Sequence, residues 1–572
     1  MIPNVDSPRQ RWWLAALTLF TFLFLLGSRS LNEPDEGRYA EIAREMIELG
    51  DWIVPHFWYV PHLDKPPLTY WTVAVSMSVF GQNEWAVRLP LALAGISGVW
   101  ASYLFGCALG GRRVGLWSAL VLQTSLLYFG MARMLTTDII LTQFMAWAVY
   151  FFWRSWRSLE DAEAKQKFFF AWHLAGWTAV ALGFLTKGPI AFVIPLVCPL
   201  TLSIYRWHDV RRRKAVFGGL IAGLALFVVL VVPWFLAVFH RVPRAFDFMV
   251  YGQTVGHALG TTIRNRRGPL LYYFAILGVG FLPWTFLLGW LWRRAYWRSL
   301  ASRQKDAWIM VSAWAAITFC LISSLQAKLP AYILPMFPAL SVLVALRFFG
   351  TGPGSNAPQP PGWTWRVCML SPLVLMVVVP VLVPPLFGVF APAGLKFQVA
   401  VGAAALGLSA WRGRRFSQDH CAVGAVVFAL LNLQFIAANI PSLETRLKSN
   451  QTLKPLGAAL RANYRSGDAL VCWGRLPQGL PFYAHPVISS TNRPYLGGMP
   501  LNQVPFEFPG NRERFGDLVL PDELVLIQLL SGNQRVLVVA FSGTFDHFQH
   551  AVADQTLRLV ARAGQWELIS TR

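Results

Sequence analysis

The sequence predicts a polytopic α-helical membrane protein with a small α/β domain at its C-terminal end. Three observations carry this. The 572 residues are 55% hydrophobic and only 14% charged, whereas soluble domains are about a quarter charged. Apolar runs long enough to cross a bilayer as helices recur along most of the chain. From about Pro441 those runs shorten to strand length and alternate with helix-like patterns.

About thirteen spans are expected, at 12–30, 85–106, 114–130, 138–155, 168–186, 188–206, 215–238, 269–292, 307–324, 330–349, 366–388, 396–412 and 421–438. Trp12–Ser28 is a full span with no small-residue cleavage site after it, so it does not read as a removable signal. Basic residues fill every second loop: Arg112/Arg113, Arg154/Arg157/Lys165/Lys167, Arg206/Arg211/Arg212/Arg213/Lys214, Arg293/Arg294/Arg298/Arg303/Lys305 and Arg412/Arg414/Arg415. This positive-inside pattern places the N-terminus in the cytoplasm and, with an odd number of spans, the first loop and the C-terminal tail outside. It also explains the net charge of +22 without nucleic acid as a partner. Residues 1–440 form the membrane module, with a linker at Gly350–Gly362. Residues 441–572 form the outer α/β domain, with strands expected at Ala469–Trp473 and Val536–Phe541 and helices at Pro455–Tyr464 and Asp522–Leu530. Cys472 is alone in that domain, and no zinc-type spacing occurs.

The first outer loop, 31–84, carries the chemistry. Nine of the chain's 28 acidic residues lie between Ser30 and Glu84, and ionisable groups are placed sparingly near a bilayer because desolvating them costs several kcal/mol. Within it, Tyr39, Ile42, Met46 and Leu49 recur at helical spacing opposite Glu41, Glu45 and Glu48. An amphipathic helix over Arg38–Leu49, lying along the interface, is expected. Leu68–Phe80 is a second, more apolar helix.

Asp35 and Glu36, directly after the first span, are the leading catalytic carboxylates. The plainer reading of Asp35 is a helix cap. Lys65 in Asp64-Lys65-Pro66-Pro67 suits a lipid phosphate; pairing with Asp64 is its plainer role. Arg241, Arg244, Arg264, Arg266 and Arg267 in loop 239–268, with Lys187 and Lys328 at outer hairpins, break the positive-inside rule. Cations there call for an anionic partner, which Arg binds bidentately and Lys as a point charge. Asp138, at the outer start of its span, should be paired or functional, with Arg133 or Arg88 as partner. His173, His240 and His257 read as interfacial histidines rather than metal ligands.

The motifs Pro34-Asp-Glu-Gly-Arg-Tyr-Ala-Glu-Ile-Ala-Arg-Glu-Met, Gly50-Asp-Trp-Ile-Val-Pro-His-Phe, Asp64-Lys-Pro-Pro, Leu185-Thr-Lys-Gly and Lys328-Leu-Pro-Ala-Tyr-Ile-Leu-Pro resemble those of the bacterial lipid A aminoarabinose transferases. They run in the family's order across 31–338. More distantly the chain is similar to the protein O-mannosyltransferases, which share an acidic pair after the first span. The resemblance implies a C-type glycosyltransferase fold in the bacterial inner membrane. It further implies inverting pentosyl transfer of 4-amino-4-deoxy-L-arabinose from undecaprenyl phosphate to lipid A phosphates at the periplasmic face, and hence polymyxin resistance. Its motif lysine falls on Lys65 and its acid–arginine elements on Asp35, Glu36 and Arg38; with the charge reading above, Asp35, Glu36 and Asp138 are the expected catalytic groups, and Arg38, Tyr39, Asp64, Lys65, Lys187, Arg264, Arg266, Arg267, Lys328 and Tyr332 are expected around the substrates. Asp64 stands where some relatives have a glutamate. No cofactor is implied, and a divalent metal is left open.

A lipid-phosphate donor suits an enzyme outside the cytoplasm, and no nucleotide-binding glycine loop is found. Its leaving phosphate needs cations, whereas an already ionised lipid A phosphate needs no strong base. A protein hydroxyl acceptor would need Asp35 as a general base. Two other classes stand beside this reading: another polyprenyl-phosphate glycosyltransferase acting on protein hydroxyls, and a secondary transporter. Transporters place ionisable groups near the midplane, whereas here they crowd the outer surface. The C-terminal domain is expected to cover the outer cavity or position the acceptor, leaving bond making to the membrane module.

Overall fold

The computed structural model describes residues 8–159, 166–256, 268–350, 358–386, 393–412, 416–446, 452–499, 508–552 and 557–571. The 351–357 part of the expected linker, His257, and Arg264, Arg266 and Arg267 lie outside the described residues. The chain divides into two compact units: Met1–Leu26, Leu89–Leu236 and Gly252–Asn439 in the first, and Gly27–Arg88, Ala237–Tyr251 and Ile440–Arg572 in the second.

The first unit is helical. Among the described residues, six helices are long and apolar enough to cross a membrane, or seven if a bent pair counts as one. Lys214–Arg241 makes the solvent requirement plain. Its middle is apolar throughout, yet little of it is buried by protein, so lipid must cover the rest. The first helix, Pro8–Leu23, stops short of the expected 12–30, and the chain turns at Leu25 with φ 54°. The expected span 269–292 is broken. Tyr272–Gly280 and Trp284–Trp290 meet at 120°, with Pro283 at the break, where its ring and missing N–H favour an interruption. Three interior hydrogen bonds join helix to helix: Thr18 donates to Gln123 at 3.0 Å, Trp284 to Thr124 at 2.9 Å, and Tyr128 to the Gly95 carbonyl at 2.8 Å.

The second unit joins the acidic loop to the C-terminal segment. Its sheet has the order β5-β4-β3-β6-β8-β7: β3 (Ala469–Trp473), β4 (Tyr495–Gly497), β5 (Val519–Leu520), β6 (Val536–Phe541), β7 (Arg558–Ala563) and β8 (Trp566–Ser570). β5, β4, β3 and β6 run parallel, and β8 and β7 add antiparallel. Buried on both faces, the central strands read as unbroken apolar runs. Val471, Val538 and Ile569 pack there with Leu526 and Leu530 of helix Glu523–Ser531. Asp522 caps that helix by accepting from Val525 N–H at 3.1 Å.

In the loop, a helix runs over Asp35–Leu49, followed by a two-residue hairpin between β1 (His56–Phe57) and β2 (Val60–Pro61) and the helix Leu68–Phe80. The helix does not present an acidic face to water. Glu36, Glu41, Glu45, Arg38 and Arg44 are all buried, enclosed by neighbouring arginines, by the hairpin and by the C-terminal segment. Ser490 N–H donates to Glu48 at 2.8 Å, and Arg44 lies 3.2 Å from His485 Nδ1.

Candidate active site

The structure divides the acidic pair into one enclosed and one accessible carboxylate. Glu36 is completely buried. Arg29 donates to it at 2.6 and 3.1 Å, Arg88 at 3.0 and 2.9 Å, and Asn32 N–H at 3.0 Å. Burial raises its pKa, but the Arg88 and Arg29 guanidiniums outweigh burial and hold it well below the usual carboxylate range. Such a carboxylate is a structural anion rather than a proton carrier. Arg88 also donates to the carbonyls of Arg29 and Ser30 at 2.7 Å each, so the group ties the start of the helix Glu84–Gly110 to the segment entering the loop.

Asp35 is different. Its side chain is 33% exposed and accepts from Arg38 Nη2 at 2.6 Å. It does not cap the helix: Pro34 holds the cap position and no side-chain capping bond forms. Arg38 is shared, since its Nη1 donates to Gln478 Oε1 at 3.2 Å. The guanidinium lies 5.5 Å from the Tyr39 ring, which stacks on Tyr70 at 5.5 Å. Burial disfavours the Arg38 charge, but Asp35, and beyond it Asp64, keep the pKa above its ordinary value. Glu33 completes the group. Its Oε1 accepts from Gly479 N–H at 2.8 Å. Burial raises its pKa to about 8, against the lowering by the Gly479 and Gln478 N–H groups and Arg38.

Lys65 donates to the Asp64 carbonyl at 2.9 Å, while the Asp64 carboxylate lies 3.6 Å from His62 Nε2. Arg241 approaches Asp51 at 3.4 Å.

A second group sits in the first unit. Asp138 pairs with Lys187, which corrects the expected partners: Arg133 donates instead to the Phe22 carbonyl at 3.0 Å, and Arg88 belongs to Glu36. Lys187 Nζ lies 4.2 Å from the centre of the Tyr332 ring. Lys328 donates to the Ser323 and Leu325 carbonyls at 2.7 Å each, an arrangement that satisfies the last turn of helix Ser302–Ser324. His173 is buried against Phe152 and Phe169 and accepts from Trp177 at 3.2 Å. It is a core residue, not an interfacial one.

The second unit thus collects Asp35, Arg38, Tyr39, Asp64, Lys65 and Tyr70 in one segment. An accessible carboxylate beside fixed cations can orient an acceptor and stabilise positive charge at a sugar carbon, while the cations offset a departing phosphate. Among the described residues, no group of three or more His, Cys, Asp or Glu is arranged to hold a metal ion. Sequence reasoning missed Glu33, Tyr70 and Gln478. Glu33 and Tyr70 lie within or beside the quoted motifs, whereas Gln478 carries no sequence signal at all.

The fold is that of a C-type glycosyltransferase. The structure matches ArnT from Cupriavidus metallidurans, crystallised bound to undecaprenyl phosphate, with TM-score 0.76 over 99% of each chain at 22% identity. It also matches the archaeal oligosaccharyltransferase AglB from Archaeoglobus fulgidus, with TM-score 0.50 over 94% of this chain and 70% of that one at 13% identity. In sequence the chain is similar to the undecaprenyl phosphate-α-4-amino-4-deoxy-L-arabinose arabinosyl transferase of Edwardsiella ictaluri, at 34% identity over 340 residues. That match spans 58% of this chain and 58% of the relative. Residues 64–235 match the dolichyl-phosphate-mannose-protein mannosyltransferase family model. The resemblance read from the motifs therefore holds in sequence, and its fold in structure.

Proposed function

We propose that this protein transfers 4-amino-4-deoxy-L-arabinose from undecaprenyl phosphate to lipid A phosphates at the periplasmic face of the bacterial inner membrane, giving resistance to polymyxin. The observation that carries the reading is the division of the acidic pair: Asp35 is open and held by Arg38, and Glu36 is closed off by two arginines. A transferase to an ionised phosphate needs one oriented, accessible carboxylate and nearby cations, not two titrating acids. Similarity to the named aminoarabinose transferases supports the sugar and the donor. The finer architecture belongs to the same proposal: about thirteen spans, a cytoplasmic N-terminus, a membrane module over 1–440, and a periplasmic domain over 441–572. In it Asp35 orients the acceptor or stabilises the oxocarbenium ion, Lys65 and Arg38 meet the lipid phosphate, and Asp138 with Lys187 and Tyr332 forms a second polar group serving the substrates. Arg264, Arg266, Arg267 and Lys328 are proposed to add cations.

The mannosyltransferase match over 64–235 favours a second reading, transfer from a polyprenyl phosphate to protein hydroxyls. Purified protein in detergent, given the aminoarabinose donor and either lipid A or hydroxyl peptides, separates the two. Product on lipid A alone is expected; product on peptides alone would overturn the first reading.

A further inference from the structure

The C-terminal segment enters the candidate active site through one turn, Arg475-Leu-Pro-Gln-Gly479. Gly37 of the loop helix and Gly479 of the turn face each other with the Glu33 carboxyl between them. A Cβ on Gly479 would lie 2.3 Å from Glu33 Oε1 and 2.8 Å from the Gly37 Cα. A Cβ on Gly37 would lie 2.2 Å from that oxygen and 2.7 Å from the Gly479 Cα. Neither position admits a side chain without backbone movement. Behind the turn the contact continues. Tyr483 OH accepts from Leu31 N–H at 2.7 Å and lies 3.3 Å from Glu84 Oε1, and Gln82 donates to the Phe482 carbonyl at 2.6 Å. With the turn so fixed, Gln478 Oε1 meets Arg38 Nη1, 440 residues away in the chain. The other nitrogen of that guanidinium holds Asp35.

We propose that Gln478 is a positioning residue of the active site, fixing the Arg38 guanidinium so that it orients the Asp35 carboxylate. The inference rests on the reading of Asp35 as the working carboxylate in the proposed transfer. A planar five-donor fork is oriented by what accepts along each edge. Without Gln478 one edge is left to water, and Arg38 gains freedom to rotate away from Asp35. Misplacement of a catalytic group by an ångström costs up to about a hundredfold in rate.

The test compares wild type, Gln478→Ala and Gln478→Glu, purified in detergent, for lipid-donor kinetics and thermal unfolding; the Ala variant's structure is also determined. The glutamate keeps an acceptor for Arg38. Expected are a fall in kcat of about 10- to 100-fold for Gln478→Ala, larger than any rise in donor KM from the moved Arg38, recovery of most of that loss in Gln478→Glu, equal unfolding temperatures, and a displaced Arg38 in the Ala structure. Wild-type turnover in the Ala variant, or a loss matched by lowered unfolding temperature, would overturn the positioning role. The structure separates the two claims. If wild type fails to transfer this sugar, the functional reading falls. An Arg38–Asp35 pair unmoved in the Ala variant overturns the positioning role whatever the substrate.

Discussion

Asp35 and Glu36 are neighbours in sequence with opposite fates, and the difference is a matter of partners. Asp35, partly exposed, shares one edge of a buried arginine, whereas Glu36 is saturated by two arginines and a backbone N–H. Because Asp35 caps nothing, Asp35→Asn should leave the protein folded and inserted while lowering transfer by about 10²-fold or more. Transfer assays at matched expression check this, and near-normal turnover would remove Asp35 from the mechanism. Lys65→Ala should weaken undecaprenyl phosphate binding by about tenfold or more, with Lys65→Arg a poor substitute because a fork does not replace a point charge. Binding titrations in detergent decide it; unchanged affinity would assign Lys65 to its local bond with the Asp64 carbonyl. Glu33 gives a prediction with a definite sign. Its pKa rises from the ordinary 4.5 to about 8 through burial, with Asp35 adding to the rise and Arg38 opposing it. The folded state therefore binds the extra proton between those values. Its contribution to stability is complete below the ordinary pKa and is lost as pH rises towards about 8. Glu33→Gln, which mimics the neutral form, should lose less stability than wild type between those limits. Parallel unfolding curves across that range would contradict it.

The loop helix was readable in sequence, but its surroundings were not. Helical spacing of Tyr39, Ile42, Met46 and Leu49 located it and put Glu41 and Glu45 on the polar side of an interfacial helix, whereas both are buried. What covers that face is partly the hairpin, 13 and 14 residues on, and partly His485 and Ser490, 441 and 442 residues away, and periodicity carries no information about such partners. Arg44 holds Glu41 at 2.8 and 2.6 Å, Glu48 at 2.5 Å, and the Tyr59 hydroxyl at 2.7 Å. Glu45 accepts from the N–H groups of Trp58 and Tyr59 at 2.7 and 2.9 Å. These two turn residues have φ values of 56° and 63°, a region that side chains other than glycine and asparagine adopt only at a cost. Burial, then the neighbouring Glu41, pushes the Glu45 pKa well up. Glu45→Ala would orphan both donors and release the turn, and should destabilise the protein by about 2–4 kcal/mol. Chemical unfolding in detergent measures it, and an unchanged midpoint would show that the hairpin holds itself.

Across the whole chain, composition and apolar run length identified a helical membrane-type fold, and the apolar runs Ala469–Trp473 and Val536–Phe541 are both central strands. Long-range pairing was beyond reach. Asp138 finds Lys187 49 residues on, and nothing local distinguishes that partner from the nearer Arg133. The acidic loop shares a compact unit with residues 440–572, which no motif in the C-terminal segment announces. Acidic residues within the sheet domain have ordinary duties: Asp468 pairs with Arg535 at 2.9 Å, and Asp522 caps a helix. The central claim, that Asp35-dependent transfer of aminoarabinose to lipid A is this protein's work, is tested most directly by mass spectrometry of lipid A. The samples would come from a transferase-deficient bacterium that makes the lipid-linked sugar and carries the wild-type or the Asp35→Asn gene. Aminoarabinose-modified lipid A is expected with wild type and almost none with the variant at equal protein levels. Unmodified lipid A in both strains, or equal modification in both, would contradict it.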